Sequence, residues 1–143
     1  MGDLTLKDIS EKMKDIDICM MSTRNAAGGI EARPMSNNRE VEYNGDSYFF
    51  ADGSCSAAQE IEKDPVVGLS FIDEPAIMGK SFYLSVTGKA ELIRDKQEFK
   101  KHWVKDLEIW FKDGVDTPGL VLIHVKATSL KYWNGMTEGE LKV

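Results

Sequence analysis

Three long runs rich in Val, Ile, Phe and Tyr dominate the second half of the chain: PVVGLSFID at 65–73, SFYLSVTGKAELI at 81–93 and LVLIHVKATSLKYW at 120–133. β-Branched and aromatic residues suit the pleated surface of a sheet, so these runs predict strands. Three shorter strand segments precede them: DICMMSTR (17–24), IEARPMSNN (30–38) and YNGDSYFFAD (43–52). The glycine-rich NAAGG (25–29) predicts a hairpin turn between the first two, and Asn44-Gly45 predicts a second turn. Pro34 cannot donate a ladder hydrogen bond, so its strand belongs at a sheet edge or a bulge. Helix signals fall between the strands without regular alternation. Thr5 with Asp8 caps a helix over 5–15 that carries Leu6, Ile9 and Met13 on one face. SAAQEIEKD forms a short helix stopped before Pro65. Asp95 with Glu98 opens a third helix that bears Phe99 and Trp103 and continues through Trp110, and KDGVDTPG (112–119) closes that region. About six strands with irregularly inserted helices predict a mainly β fold, an antiparallel barrel with appended helices in place of a doubly wound parallel sheet. A chain of 143 residues fits a single domain over 1–143: an N-terminal helix at 1–16, the barrel at 17–135 and a tail at 136–143.

Charge and composition exclude several function classes. The net charge of −6 argues against nucleic acid or an anionic membrane as a partner. No apolar stretch approaches the ~20 residues that cross a bilayer, and the charged N-terminal segment lacks the apolar core of a secretory signal. These features predict a cytoplasmic protein whose two cysteines, Cys19 and Cys55, are free thiols. His102 and His124 have no Cys, His or carboxylate at metal spacing, so no metal site is expected. The chain has no nucleophile elbow, P-loop or dinucleotide fingerprint.

Three stretches point to ligand binding, each with a structural alternative. Arg33 adjoins the proline-marked irregularity of ARPMSNN, where backbone near Met35 and Ser36 is free to meet a ligand; otherwise it is a surface charge. SCSA (54–57) puts two hydroxyls and consecutive backbone N–H groups at a helix start, where the helix dipole favours an anion; otherwise Ser54 or Ser56 is an N-cap. KYWNG (131–135) offers a flat aromatic in Trp133, which otherwise belongs to a core.

Their order along the chain resembles the pyridoxamine 5′-phosphate oxidase-related FMN-binding split barrels, and within them the general stress protein branch. The resemblance rests on Arg33-Pro34-Met35, the Phe49-Phe50 strand, the serine loop, a helix ending Asp64-Pro65, the strand end SVTGKAEL and Tyr132-Trp133, from about residue 5 to 135. It implies a homodimer with FMN in clefts at the subunit interface. By the same resemblance Arg33 faces the phosphate or flavin tail, and Pro34, Met35 and Ser36 run along the ring edge. Phe50, Ala51 and Asp52 line the ring and ribityl chain, Tyr83 gives a polar contact, and Trp110 or Trp133 packs near the ring. Ser54, Cys55 and Ser56 belong to the phosphate loop. That loop in the family commonly ends in lysine, whereas Ala57 stands here. The loss of one charged contact, worth about 1.5–3 kcal/mol, implies weakened FMN retention with Arg33, the hydroxyls and the helix start as the remaining grip. The function implied is an FMN-dependent oxidoreductase of an unidentified small substrate with a stress-related role. The alternative is a non-catalytic ligand-binding or stress-response module with weak or no flavin binding. A third option is another planar cofactor, haem or a deazaflavin, although no ligating histidine pattern supports haem.

Overall fold

The computed structural model describes residues 3–37, 42–75 and 79–143. Its centre is a seven-stranded antiparallel sheet curled into a split barrel: β1 (Ile18–Arg24), β2 (Ile30–Ser36), β3 (Asp46–Asp52), β4 (Val66–Asp73), β5 (Phe82–Ile93), β6 (Leu120–Asn134) and β7 (Thr137–Lys142). The order is β2-β1-β4-β5-β6-β3, with β7 also on β6. The run at 120–133 is therefore one long strand. Its first half pairs with β3, Asp52↔Leu120 through Asp46↔Lys126, and its second half with β7, Ser129↔Lys142 through Asn134↔Thr137. The change of partner falls beside a register shift at Thr87/Gly88 on β5. There the strands crowd: a Cβ on Gly88 would lie 2.5 Å from the Lys126 carbonyl oxygen, so only glycine fits.

Most strand segments start or stop within a few residues of expectation, and the third loses Tyr43–Gly45 to the turn before it. The expected last residue of the second strand, Asn38, lies outside the described residues. Residues 137–142, expected as part of a tail, form β7. β2 pairs only with β1 among the described residues, which places Pro34 at the expected sheet edge. Gly45 adopts φ +106°, the left-handed backbone that Asn44-Gly45 forecasts.

Among the described residues three α-helices decorate the barrel. In α1 (Leu6–Met13) the Thr5 hydroxyl accepts from the Asp8 N–H while the Asp8 carboxylate accepts from the Thr5 N–H, a complete capping box. The second helix, α2 (Ser56–Lys63), has Cys55 as its N-cap with no side-chain cap bond. This corrects the expectation that Ser54 or Ser56 caps it. The third, α3 (Lys96–His102), is capped by Asp95, which accepts from the Gln97 N–H. It ends at His102, well short of Trp110; a 3₁₀ turn at Lys105–Ile109 takes over. The core divides in two. Ile9, Met13, Ala57, Ala58 and Ile61 join α1 and α2 to the inward residues of the strands, while Phe99, Leu120 and Leu122 form a smaller cluster under α3.

Candidate functional site

Strand alternation decides where each candidate points. β1 and β2 pair with Cys19 opposite Met35, Met21 opposite Arg33 and Thr23 opposite Glu31. Cys19, Met21 and Thr23 are buried, so Arg33 and Met35 project to the inward face. Arg33 ends against α2, not in open solvent. Its Nη2 donates to Glu60 Oε1 at 3.0 Å and its Nη1 to Thr23 Oγ1 at 2.6 Å, with further bonds to the Met21 carbonyl at 3.3 Å and the Glu31 carbonyl at 3.4 Å. Thr23, only 2% exposed, in turn donates its hydroxyl to Glu60 Oε1 at 2.5 Å. Thr23, Glu31 and Arg33 together hold the Glu60 carboxyl below its usual range, with Thr23 the largest influence. The chain thus supplies its own anion to Arg33. Met35 packs on the main core.

The start of α2 is equally occupied. The Ser54 N–H and hydroxyl both donate to Asp52 Oδ1, at 2.8 and 2.9 Å, which holds the Asp52 carboxyl below its usual range. The Ser54 carbonyl accepts from Gln59 Nε2 at 3.1 Å. Ser56 is exposed, Cys55 half-buried, and Ala57 buried beside Ala58 and Ile61. A lysine at 57 would begin inside the core, so Ala57 is a packing residue and not the stump of a lost surface cation. A groove of about 270 Å³ runs between α2 and the β1–β2 hairpin. It is lined by Arg24, Lys63, Asp64 and Glu60, of which Glu60 is already bonded to Arg33. These residues do not fit a flavin phosphate: the expected cation is paired, and a carboxylate stands at each end of the loop and helix.

The outward face is different. One row of cross-strand neighbours reads Pro34, Met20, Ser70, Ser85, Lys131 and Glu140. In the next, Ser36 pairs with Ile18, and Ile72 with Tyr83, which pairs with Trp133. One residue beyond the buried Cys19–Phe71 pair, Ile18 and Ile72 turn to the opposite, outward face. Ile18 is 49% exposed, Met20 39% and Ile72 56%. This face therefore groups exposed Ile18, Met20 and Ile72 with the half-buried rings of Tyr83 and Trp133, interspersed with Ser70, Ser85 and Lys131. Tyr83 donates its hydroxyl to Glu74, and the Lys131 ammonium lies 5.5 Å from the Trp133 ring centre.

The structure brings Pro34, Ser36, Tyr83 and Trp133 onto this face, Arg33 against α2, and Asp52, Ser54, Cys55 and Ser56 around the helix start. It does not bring Phe50 there: Phe50 packs edge-on against Phe99 and Trp103 under α3. Its neighbour Ala51 packs on the main core, and Trp110 is 76% exposed in the connection after α3.

Sequence reasoning missed Glu60, Thr23 and a third cluster. The Tyr48 ring lies between His102, at 3.7 Å between centres, and His124, at 4.5 Å. His124 Nε2 meets Asp46 at 2.8 Å and Nδ1 meets Glu91 at 3.0 Å. Partial burial alone lowers the His124 pKa, but Asp46 and Glu91 outweigh it and the net shift is upward; burial lowers that of His102. Alternation puts Asp46 and Tyr48 on one face of β3, a signal readable in sequence, but their partners come from other elements. Among the described residues no group of His, Cys, Asp and Glu is arranged to hold a metal ion. No described helix is long and apolar enough to cross a membrane.

Comparison with known proteins agrees with this architecture. Protein bli-3 of Neurospora crassa is 24% identical over 139 residues, covering 91% of this chain; the chain spans 65% of that relative's length. A Clostridium acetobutylicum protein related to general stress protein 26 of Bacillus subtilis superposes with TM-score 0.81 at 19% identity, covering 96% of this chain and 94% of the other. A heme-binding protein from Mycobacterium smegmatis gives TM-score 0.76 at 11% identity, covering 99% of this chain and 60% of the other. The family described as pyridoxamine 5′-phosphate oxidase like matches residues 5–143, and with that span matched the chain belongs to it.

Proposed function

We propose that this protein binds a flavin against the outward sheet face, in a cleft completed by a second copy of the chain, and serves the redox conversion of an unidentified small substrate in a stress-related role. The observation that carries this reading is the outward face where exposed Ile18, Met20 and Ile72 adjoin the half-buried rings of Tyr83 and Trp133, together with the family match. FMN is the form the family resemblance implies, and the cytoplasm the compartment. Such a surface buries well against a planar aromatic and a second protein face. When bound, a flavin supplies the electron chemistry, and the protein supplies position, electrostatics and access. Here Tyr83 and Trp133 would give the flat contact and Ile18 and Ile72 would exclude water. The acidic surface leaves nucleic acid and membranes outside this reading.

The test is the absorbance spectrum of protein purified without added cofactor, then FMN titration by fluorescence quenching and sedimentation of the free protein. We expect saturable micromolar binding and a dimer. A colourless protein with no saturable binding at micromolar FMN overturns the flavin reading.

The Arg33–Glu60 pair favours a second reading, a ligand-binding module without turnover, because the chain has closed off the charge that would grip a nucleotide. Haem is disfavoured: both nitrogens of His124 are bonded to carboxylates, and His102 lies flat on Tyr48.

A further inference from the structure

We infer that Lys131 makes the outward site selective for planar aromatic ligands that carry negative charge, by exchanging its contact with Trp133 for one with the ligand's anionic group. The inference rests on the outward-face reading above and deepens it: the class of ligand or substrate becomes aromatic anions.

Leu130 and Tyr132 are buried, so alternation turns Lys131 and Trp133 to the outward face, two positions apart on β6. The Lys131 ammonium lies 5.5 Å from the Trp133 ring centre, within the range at which an indole face attracts a cation. In register Lys131 stands between Ser85 on β5 and Glu140 on β7. Among the described residues no ion pair joins it to Glu140 or to any other carboxylate; its stem runs along the strand to the ring instead. On the two rows that carry Ile18, Met20, Ile72, Tyr83 and Trp133, it is the only cation among the described residues. Tyr83 brings no charge, and its hydroxyl proton is committed to Glu74. A planar ligand lying on Trp133 must displace the ammonium from that ring. A neutral ligand gives nothing back, so the cation–π attraction is simply lost. An anionic ligand replaces it with a charge-assisted hydrogen bond, which is the stronger contact. Glu138 and Glu140 stand on β7, beyond Trp133 and Lys131 at the rim of the face. Both are exposed, so water and salt screen their repulsion, and the direct contact to Lys131 outweighs it.

The experiment needs no flavin. Fluorescence titration gives dissociation constants for 1-anilinonaphthalene-8-sulfonate and N-phenyl-1-naphthylamine, the same rings with and without a sulfonate. The proteins are the wild type, Lys131→Met, Lys131→Arg and Lys100→Gln. Methionine keeps an apolar stem beside Trp133 and removes the charge, whereas arginine keeps the charge and also lies on aromatic faces. Lys100 is exposed on α3 and controls for the change in net charge. Relative to the wild type, Lys131→Met should shift the ratio of the two constants about tenfold against the sulfonate. Lys131→Arg and Lys100→Gln should leave it within about twofold. A ratio unchanged in Lys131→Met overturns the inference, and so does an equal shift in Lys100→Gln, which would make the preference an effect of net charge. FMN titration of the wild type separates the two readings. If FMN does not bind while the ratio depends on Lys131, the flavin reading fails and the ligand class stands. If FMN binds and the ratio does not move, the flavin reading stands and this inference fails.

Discussion

Arg33 and His124 are both cationic groups held by carboxylates from other elements, yet they serve their helices differently. Arg33 reaches from the edge strand β2 to Glu60 on α2, a helix whose buried face already joins the main core through Ala57, Ala58 and Ile61. His124 stands on β6 between Asp46 and Glu91, and its ring stacks on Tyr48, which stacks in turn on His102 at the end of α3. That helix rests on a cluster with only Phe99, Leu120 and Leu122 fully inside. Arginine stays charged at every physiological pH, so the first pair is permanent. The histidine titrates, so the second is conditional. A cation held by the chain's own carboxylate is therefore not a cation available to a ligand, and the two helices should differ in how independently they open.

The largest expected effects break this comparison at its apolar base. Ile61→Ala removes a side chain 3% exposed in the main core and should cost about 2–5 kcal/mol of global stability, read as a lower urea midpoint. Phe99→Ala removes a side chain 5% exposed in the smaller cluster. Its loss should appear first as faster amide exchange in α3, with the barrel strands keeping their protection. Uniform loss of protection in Phe99→Ala would show that the two clusters form a single cooperative unit.

A smaller effect isolates the permanent pair. Thr23→Val keeps the shape and deletes the hydroxyl that accepts from Arg33 and donates to Glu60. Because Thr23 is buried, the expected cost is about 1–3 kcal/mol, with exchange accelerated in α2. A stability equal to wild type would mean that Arg33 and Glu60 hold together without it.

Much of the fold was legible because its signals are local. The Thr5–Asp8 box, the Asp95 cap, the Asn44-Gly45 turn and the Pro34 edge each depend on residues within a few positions. What failed depends on packing. Trp103 and Trp110 look like a continuing helix, but α3 stops at His102 and Trp103 turns in toward Phe50 and Phe111. Residues 137–142 carry mostly Glu, Lys and Gly, and become a strand because β6 offers them a paired edge. For the site, the motif placed Arg33 on the second strand, where it lies. It could not show that Glu60, 27 positions later, faces it. Ala57 read as a missing charge because its burial depends on which face α2 turns to the core.

The smallest effect tests the conditional pair. The folded pKa of His124 is raised above 6.5, so its contribution is fully present below the unfolded value and is lost as pH rises through the folded one. His102 has the opposite sign: its folded pKa is lowered below 6.5, so stability is lost as pH falls toward that value. The groups facing the pair are Asp46 and Tyr48 on β3, Glu91 on β5, and Glu98 and Lys101 on α3. These charges are partly open to solvent, so screening limits each contribution to less than about 1 kcal/mol. Urea midpoints measured from acid to mildly alkaline pH should fall on the alkaline side in the wild type, and His124→Asn should flatten that limb alone. His102→Asn should flatten the acid limb instead. An alkaline limb unchanged in His124→Asn would assign the dependence to another group and leave the histidine as packing only.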